Sequence, residues 1–330
     1  MKLRELGEFG LIDRIARQVS PAPGVMIGIG DDAAAVEPAA GRVTLVTSDM
    51  LTEGIHFDLA FSPPELLGRK SLAVNLSDIA AMGGNPRHFL LSLAIPSHLP
   101  VEFIDRFSGG LLALAGEFGV TLIGGDTCAS REGLVISVTA MGEQLPHLVV
   151  SRGGARPGDL VFVTGTLGDS ALGLRLLREG ISSGPAVMKH LDPPPRVREG
   201  TALAGAGIPS AMIDVSDGLL ADLGHILHLS GTGARIDLAR IPLSAPCPPL
   251  PAGPGDDPYL LPLAGGEDYE LLFTAPPARH GEAARLMEQL GTRLSVIGEI
   301  TPSGGLQVVA GDGTPYRPAS SGYNHFSSVN

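Results

Sequence analysis

The sequence predicts a mixed α/β protein of two domains, and three observations support this. The chain has 330 residues, whereas domains average roughly 100–200 residues. Short runs of β-branched and apolar residues alternate with segments of helical periodicity. Pro and Gly interrupt this alternation between residues 144 and 158. We therefore expect an N-terminal domain at 1–144 and a C-terminal α/β domain at 145–330.

The individual elements follow from the same patterns. Runs bounded by Gly, Pro, Ser or Asp predict strands at 42–49, 89–96, 120–126, 134–143, 159–165, 210–217, 270–275 and 294–300. Helical periodicity predicts a helix in the N-terminal segment from about Gly7, and helices at 63–83, 101–119, 168–180, 218–231 and 278–291. The Pro- and Gly-rich segment 242–258 is expected to be a surface loop of the second domain.

The composition excludes several function classes. Hydrophobic residues make up 44% of the chain and charged residues 18%, which is typical of a globular protein. The net charge of −12 disfavours nucleic acid and anionic membranes as partners. Lysine occurs only at Lys2, Lys70 and Lys189, so an anionic ligand would be neutralised by arginine, backbone dipoles or metal ions.

The sequence predicts a cytoplasmic protein. No segment approaches the roughly 18 apolar residues of a membrane span, and the N-terminal segment lacks the pattern of a secretory signal. Cys128 and Cys247 have no metal-binding spacing. We expect both to be free thiols in a reducing compartment.

Seven aspartates lie among small or apolar residues. Several follow predicted strands, where ligands bind in α/β folds. Each alone would fit a turn or helix cap, but a converging set would repel unless cations neutralised it. Mg²⁺ prefers oxygen ligands and is often shared between carboxylates and phosphates, so the pattern favours a nucleotide triphosphate bound through Mg²⁺. The seven are Asp31, Asp32, Asp49, Asp78, Asp126, Asp214 and Asp217.

The usual phosphate-binding motifs are missing from the sequence. "GRKS" at 68–71 lacks the glycine spacing of a P-loop, and "GIGDD" does not complete GxGxxG because Ala33 occupies the last position. There is no protein-kinase motif set and no GxSxG elbow. The phosphates must therefore be held in another way.

Several motifs in order resemble those of the thiamine-monophosphate kinase family, which is part of the aminoimidazole ribonucleotide synthetase-like superfamily. The resemblance extends from about Glu8 to Phe326. "GGEDYEL", "GIHF" and "GYNHF" distinguish the thiamine enzymes from their relatives. The motifs are "GIGDDAA", "SDMLTEGIHF", "AVNLSDIAAMGGNP", "LIGGDT", "SRGGARPGD", "VTGTLGDSALGL", "IDVSDGL" and "GGEDYELLF".

The resemblance implies a fold, a reaction and partners. The implied fold has an N-terminal mixed sheet with flanking helices, which pairs across a homodimer, and a C-terminal α/β domain that completes the ATP and substrate cleft. The implied reaction is ATP-dependent phosphorylation of thiamine monophosphate to thiamine diphosphate, by direct in-line transfer with several Mg²⁺ ions. Neither nucleic acid nor a membrane is implied as a partner.

The resemblance also implies roles for particular residues. The implied metal ligands are Asp32, Thr47, Ser48, Asp49, Asp78, Asp126, Asp214 and Asp217, and of these Asp49, Asp126 and Asp217 are assigned to catalysis. The implied ATP contacts are Gly125, Asp126, Arg152 and Ser216. The implied thiamine-phosphate contacts are His56, Glu267 and Tyr323.

Some assignments have alternatives at this point. The family often has Ser-Thr-Asp where this chain has Thr47-Ser48-Asp49, so either hydroxyl or a backbone oxygen could meet a metal. Asp31 could serve around the metal ligands or only in the turn. The rival functions are another ATP-dependent enzyme of the same superfamily and a non-catalytic protein that binds Mg²⁺ and ATP.

Overall fold

The computed structural model of the chain describes residues 3–30, 33–244, 257, 259–303, 305–318, 320 and 322–323. The chain divides into two compact units. Unit 1 comprises Met1–Ile79 and Gly84–His147, and unit 2 comprises Ala80–Gly83 and Leu148–Asn330. None of the helices in these described ranges combines the length and hydrophobicity that a membrane span requires.

Unit 1 is built on a four-stranded mixed sheet. Its strands lie in the order β3-β6-β4-β5; the pair β4 and β5 is parallel, and the other pairs are antiparallel. A short hairpin of β1 and β2 precedes this sheet. The elements of the unit are α1 (Leu3–Ala16), β1 (Val25–Ile27), β2 (Ala35–Val36), β3 (Val43–Thr52), α2 (Pro64–Ala81), β4 (Asn85–Pro96), α3 (Val101–Phe118), β5 (Thr121–Ser130) and β6 (Val135–Gln144).

One face of this sheet is covered by helix and the other is open. Alternate residues of β3 are buried at Leu45 and Leu51, because successive strand side chains point to opposite faces. Val46 and Met50, on the other face, are 64% and 60% exposed. A Cβ atom at Gly142 would lie 2.6 Å from Ile79 Cγ2 of α2, which places this helix on the buried face.

Unit 2 contains a seven-stranded sheet in the order β13-β12-β9-β11-β7-β10-β8. Only the β9 and β12 pair is parallel among its described strand pairs. Its elements are β7 (Leu160–Thr164), α4 (Asp169–Arg178), α5 (Pro185–Leu191), α6 (Val197–Gly205), β8 (Ala211–Asp214), α7 (Leu219–Ser230), β9 (Gly233–Asp237), α8 (Leu260–Ala264), β10 (Leu271–Ala275), α9 (His280–Gln289), β11 (Leu294–Thr301), β12 (Leu306–Val309) and β13 (Pro315–Tyr316).

The core of unit 2 forms around the central strands. Phe162 of β7 and Phe273 of β10 stack with ring centroids 4.9 Å apart, and both are fully buried. The apolar face of α7 packs into the same unit through Leu223 and Ile226. Almost every residue of β7 and β10 is buried, in keeping with their nearly continuous apolar sequences.

The prediction of a mixed α/β fold with two domains is confirmed, and each predicted helix and strand is present with shifted ends. Five short strands (β1, β2, β9, β12, β13) and three helices (α5, α6, α8) were not predicted. The strand predicted at 210–217 ends at Asp214, because the next residues form a turn around a buried carboxylate. Of the predicted loop 242–258, only 242–244 and 257 are among the described residues.

Candidate active site

A pair of carboxylates lies between β3 and α2 in unit 1. Thr47 and Asp49 occupy alternate positions of β3 and face α2, where Thr47 Oγ1 donates a hydrogen bond to Asp78. The backbone N–H of Asp49 donates to Asn75 Oδ1 at 3.1 Å. Burial, with a smaller contribution from the negative charge of Asp78, raises the pKa of Asp49 to about 7. Two carboxylates are thus held close together in a partly desolvated place.

The chemistry of this donor set fits a magnesium ion. Two carboxylates and a hydroxyl supply only oxygen atoms, which Mg²⁺ prefers. Burial is the main cause of the raised pKa of Asp49, and repulsion from Asp78 is the second; a divalent cation would relieve this repulsion. Ser48 lies on the other face of β3, where its hydroxyl contacts Val138 O and Thr139 Oγ1. The geometry therefore brings the Thr47 hydroxyl, and not that of Ser48, to the carboxylates.

A second part of the candidate site surrounds a cavity of about 860 Å³ on the open face of the unit 1 sheet. Residues 124–127 of β5 line it together with residues 28–30 and 33–34. The motifs "GIGDDAA" and "LIGGDT" are thereby brought to one cavity. Asp32, predicted as a metal ligand, lies outside the described residues. So does Asp31, for which a place around the metal ligands and a place only in the turn were the alternatives.

Gly125 is needed here for a close backbone approach. A Cβ atom at this position would lie 1.8 Å from the carbonyl oxygen of Leu91 on the neighbouring strand. Because the glycine has no side chain, the backbone before Asp126 lies bare at the edge of the cavity. This is a surface against which a phosphate group could lie.

Asp126 is not beside the Asp49–Asp78 pair in the described sheet. Asp49 is aligned across the sheet with Val138, Leu91 and Gly125, whereas Asp126 is aligned with Ser92. Neighbouring positions on a strand point to opposite faces, and three strand spacings separate β3 from β5 by about 14 Å. The described site aspartates of unit 1 thus lie in two separate places. Among the described residues of the chain, no three His, Cys, Asp or Glu side chains are grouped closely enough to hold a metal ion.

His56 lies in the turn after β3. Its Nδ1 accepts a hydrogen bond from the backbone N–H of Thr52 at 3.0 Å, and its own N–H donates to Thr52 O at 3.0 Å. Acceptance at Nδ1 places the ring proton of the neutral imidazole on Nε2. These two hydrogen bonds to Thr52 fix the position of the His56 ring in the turn.

The predicted aspartates of unit 2 lie around a turn that follows β8. Asp214 is buried at the end of the strand, and the N–H groups of Ser216, Asp217 and Gly218 each donate to Asp222 Oδ2 at 3.1 Å. Burial raises the pKa of Asp222 to about 7; the charge of Asp217 adds to this effect, and the three N–H donors oppose it. Asp222 therefore organises the turn that carries Ser216 and Asp217.

The same turn holds two of the predicted substrate residues. The N–H of Glu267 donates to Ser216 O at 2.7 Å, and the N–H of Tyr323 donates to Asp217 O at 2.9 Å. Arg152 is exposed next to Ser151, whose carbonyl oxygen pairs with the N–H of Met212 at the edge of β8. Unit 2 thus brings four predicted site residues, Ser216, Asp217, Glu267 and Tyr323, into one connected turn.

A buried ion-pair network beneath this turn was not predicted from the sequence. The fully buried carboxylate of Glu270 accepts hydrogen bonds from Thr164, Lys189 and Arg196 at 2.6–3.0 Å. Burial acts to raise the pKa of Glu270, but Arg196 and Lys189 hold it below its ordinary value. One of the three lysines of the chain thus neutralises an internal glutamate. The only feature of the sequence that pointed to Lys189 was the scarcity of lysine in this chain.

Comparison with known proteins agrees with this architecture. The family model "AIR synthase related protein, N-terminal domain" matches residues 30–144, and the corresponding C-terminal domain model matches residues 156–311. A thiamine-monophosphate kinase of Salmonella typhimurium is 39% identical over 98% of this chain and 99% of its own length.

Two solved structures are similar in both fold and sequence. Thiamine-monophosphate kinase from Stenotrophomonas maltophilia K279a has a TM-score of 0.83 and 39% identity over 94% of this chain and 98% of its own. The structure described as AaThiL complexed with AMPPCP and TMP has a TM-score of 0.75 and 36% identity over 99% of both chains.

The two domain matches and the aspartate-bearing turns define a protein of the AIR synthase related class. That class alone does not select a reaction, because one fold can carry different activities. The near-full-length identity is more specific. The chain belongs to the thiamine-monophosphate kinase family.

Proposed function

We propose that this chain is an enzyme that phosphorylates thiamine monophosphate with ATP and forms thiamine diphosphate and ADP. The observation that carries the proposal is the 39% identity to a thiamine-monophosphate kinase over nearly the whole of both chains. A relative of similar likeness was solved with AMPPCP and TMP, which are an ATP analogue and the phosphate acceptor of such a reaction.

The reaction is a direct transfer. An oxygen of the acceptor phosphate attacks Pγ of ATP in line, the bond from Pγ to the bridging oxygen breaks, and ADP leaves with that electron pair. The chain needs no covalent intermediate, since catalysis of such transfers rests on positioning and on stabilisation of charge. Magnesium ions, when bound, neutralise the phosphate oxygens.

We assign the roles in unit 1 as follows. Asp49, Asp78 and Thr47 hold magnesium through carboxylate and hydroxyl oxygens, and Asp126 serves as a ligand on the open face of the sheet. Gly125 lets ATP phosphates approach the backbone. Asp32 and Ser48 remain predicted ligands, Ser48 through its backbone oxygen, because its hydroxyl is engaged with Thr139. His56 would contact the acceptor substrate.

We assign the roles in unit 2 in the same way. Asp214 and Asp217 are the metal ligands of the turn after β8, with Asp217 closest to the chemistry. Ser216 and Arg152 contact ATP, the latter through the guanidinium group that suits phosphate oxygens. The carboxylate of Glu267 and the ring of Tyr323 hold thiamine monophosphate. Domain roles follow: residues 1–144 bind metal and ATP and form the dimer, and 145–330 complete the site.

The experiment is an assay of products. The purified protein is incubated with ATP, Mg²⁺ and thiamine monophosphate, and thiamine diphosphate and ADP are separated by chromatography. We expect both in equal amounts, and about 100-fold less from Asp217→Asn, since such charge-stabilising groups contribute about that much. Asp312→Asn, an exposed aspartate of the same unit, is the control. Intact ATP would support the binding-protein alternative, and ADP without thiamine diphosphate would support another enzyme of the superfamily.

We also propose a homodimer formed through unit 1, in the cytoplasm. The open face of the unit 1 sheet carries the exposed apolar side chains of Val46 and Met50, and exposed apolar patches are typical of interaction surfaces. Cys128 is an exposed free thiol, which suits a reducing compartment.

A further inference from the structure

The segment Gly266–Glu270 is unusually constrained. Glu267 and Tyr269 adopt φ angles of 57° and 50°, a left-handed conformation that is uncommon for residues other than glycine. Asp268 is buried and accepts hydrogen bonds from the N–H groups of Gly168 and Ser170 at 2.7 and 3.2 Å. Alternate side chains, those of Asp268 and Glu270, are thus anchored inside unit 2.

Glu267 is the acidic residue of this segment whose side chain reaches solvent. Its side chain is 26% exposed, and Oε2 lies 3.4 Å from His190 Nδ1. The backbone of Glu267 is fixed by the hydrogen bond to Ser216 O. The strained backbone and the imidazole together determine where this carboxylate points, and strain of this kind persists where the surrounding structure enforces it.

His190 is well placed to hold that carboxylate. It lies on α5, its side chain is 2% exposed, and its Nδ1 is also 3.1 Å from Ser170 Oγ. The neighbouring Lys189 binds Glu270. The segment that includes α5 and Arg196 therefore contacts two acidic residues of the constrained turn. Lys189 and Arg196 bind the buried Glu270, and His190 contacts the partly exposed Glu267.

We propose that His190 is a positioning residue for thiamine-phosphate recognition, acting through Glu267. The inference rests on the proposed function, in which Glu267 contacts the acceptor substrate. The contact with the imidazole restrains the direction of the Glu267 carboxylate. A carboxylate suits this substrate, whose thiazolium ring is cationic and whose aminopyrimidine donates hydrogen bonds. A carboxylate with a fixed direction loses less conformational entropy on binding than a free one.

The test is a double-mutant cycle between His190 and Glu267. His190→Leu removes the ring nitrogens, and His190→Asn keeps a donor near the position of Nδ1. We expect His190→Leu to raise KM for thiamine monophosphate about tenfold, the size of one lost polar contact with a charged group, while kcat and KM for ATP change less than threefold. His190→Asn should recover most of the loss. Combined with Glu267→Gln, His190→Leu should add less than twofold, since coupled residues are not additive.

The controls separate positioning from a general structural role. His225→Leu removes an exposed histidine of α7 and should leave all constants unchanged. Ser170→Ala removes the other neighbour of Nδ1 and should change KM for thiamine monophosphate less than threefold, because the carboxylate contact remains. Equal increases in KM for both substrates in His190→Leu would overturn the inference. So would a double variant in which His190→Leu raises KM for thiamine monophosphate a further tenfold above that of Glu267→Gln alone. A wild-type protein that makes no thiamine diphosphate would refute the proposed function instead.

Discussion

The buried carboxylate of Glu270 gives the sharpest stability prediction. It is fully buried and accepts hydrogen bonds from Thr164 Oγ1, Lys189 Nζ and two nitrogens of Arg196. Glu270→Gln keeps the shape of the side chain but removes the charge that these two cations share. It also turns an amide N–H₂ toward Arg196, whose guanidinium contacts both carboxylate oxygens and can only donate. The Arg196 guanidinium, whose side chain is 16% exposed, is then left largely buried with Glu199, at 3.2 Å, as its remaining carboxylate partner.

The expected loss is large. Removing one partner of a buried ion pair costs about 3–5 kcal/mol, because the other charge stays desolvated. With a urea m-value of about 2 kcal/mol/M, this lowers the unfolding midpoint of unit 2 by about 2 M. The matched control is Glu179→Gln, because Glu179 pairs with Arg175 on the surface of α4 at 3.4 Å. Exposed i,i+4 pairs contribute less than about 0.5 kcal/mol.

The chain provides its own probe for this measurement. It contains no tryptophan, and its four tyrosines, at 259, 269, 316 and 323, all lie in unit 2. Urea unfolding followed by tyrosine fluorescence therefore reports on the unit that contains Glu270. A midpoint for Glu270→Gln within 0.3 M of that for Glu179→Gln would refute the reasoning, since the buried network would then contribute no more than a surface pair (threshold of roughly 0.5 kcal/mol).

Three further predictions test other parts of the structure. Burial raises the pKa of Asp268 to about 7, so the folded state keeps a proton that the unfolded state loses above about pH 4. The contribution of this group to stability is therefore full below about pH 4 and is lost as the pH rises to about 7. In the wild type the free energy of unfolding should fall between pH 5 and 7, and Asp268→Asn should make this fall roughly 2 kcal/mol smaller in tyrosine-detected unfolding. An unchanged pH dependence of the free energy of unfolding would contradict this. Val46→Glu should yield monomers in sedimentation experiments whereas Leu229→Glu, at a similarly exposed site of unit 2, should not, and equal behaviour of the two variants would count against the proposed dimer surface. Gly125→Ala should destabilise the protein by at least about 2 kcal/mol in thermal unfolding, because its Cβ would lie 1.8 Å from Leu91 O; a wild-type melting temperature would show that the strands separate freely there.

The sequence was sufficient to predict the fold class because the long elements have clear periodicity. The apolar run of β4 and the amphipathic α3 are examples, and burial in the structure follows their patterns. The strands that were missed are short or polar: β9 reads "GARID" and β13 contains two residues. Their conformation depends on pairing with distant strands, which no local pattern encodes.

The candidate site was predictable in its residue types and only partly in its geometry. Strand-end aspartates next to glycines could be recognised from their context. The pairing of Asp49 with Asp78, and the opposite face occupied by Asp126, depend on strand order and register. The partners of Glu270 lie 74 to 106 residues away in the chain. Local sequence patterns do not specify contacts between residues so far apart in the chain.

The central claim is that the γ-phosphoryl group of ATP passes directly to thiamine monophosphate, and a single-turnover experiment with ATP labelled at Pγ tests it most directly. The enzyme is mixed with Mg²⁺ and both substrates, and the label is followed in thiamine diphosphate, inorganic phosphate and denatured protein. We expect all transferred label in the terminal phosphate of thiamine diphosphate and none on the protein. Label released as inorganic phosphate, or held covalently on the chain, would contradict it.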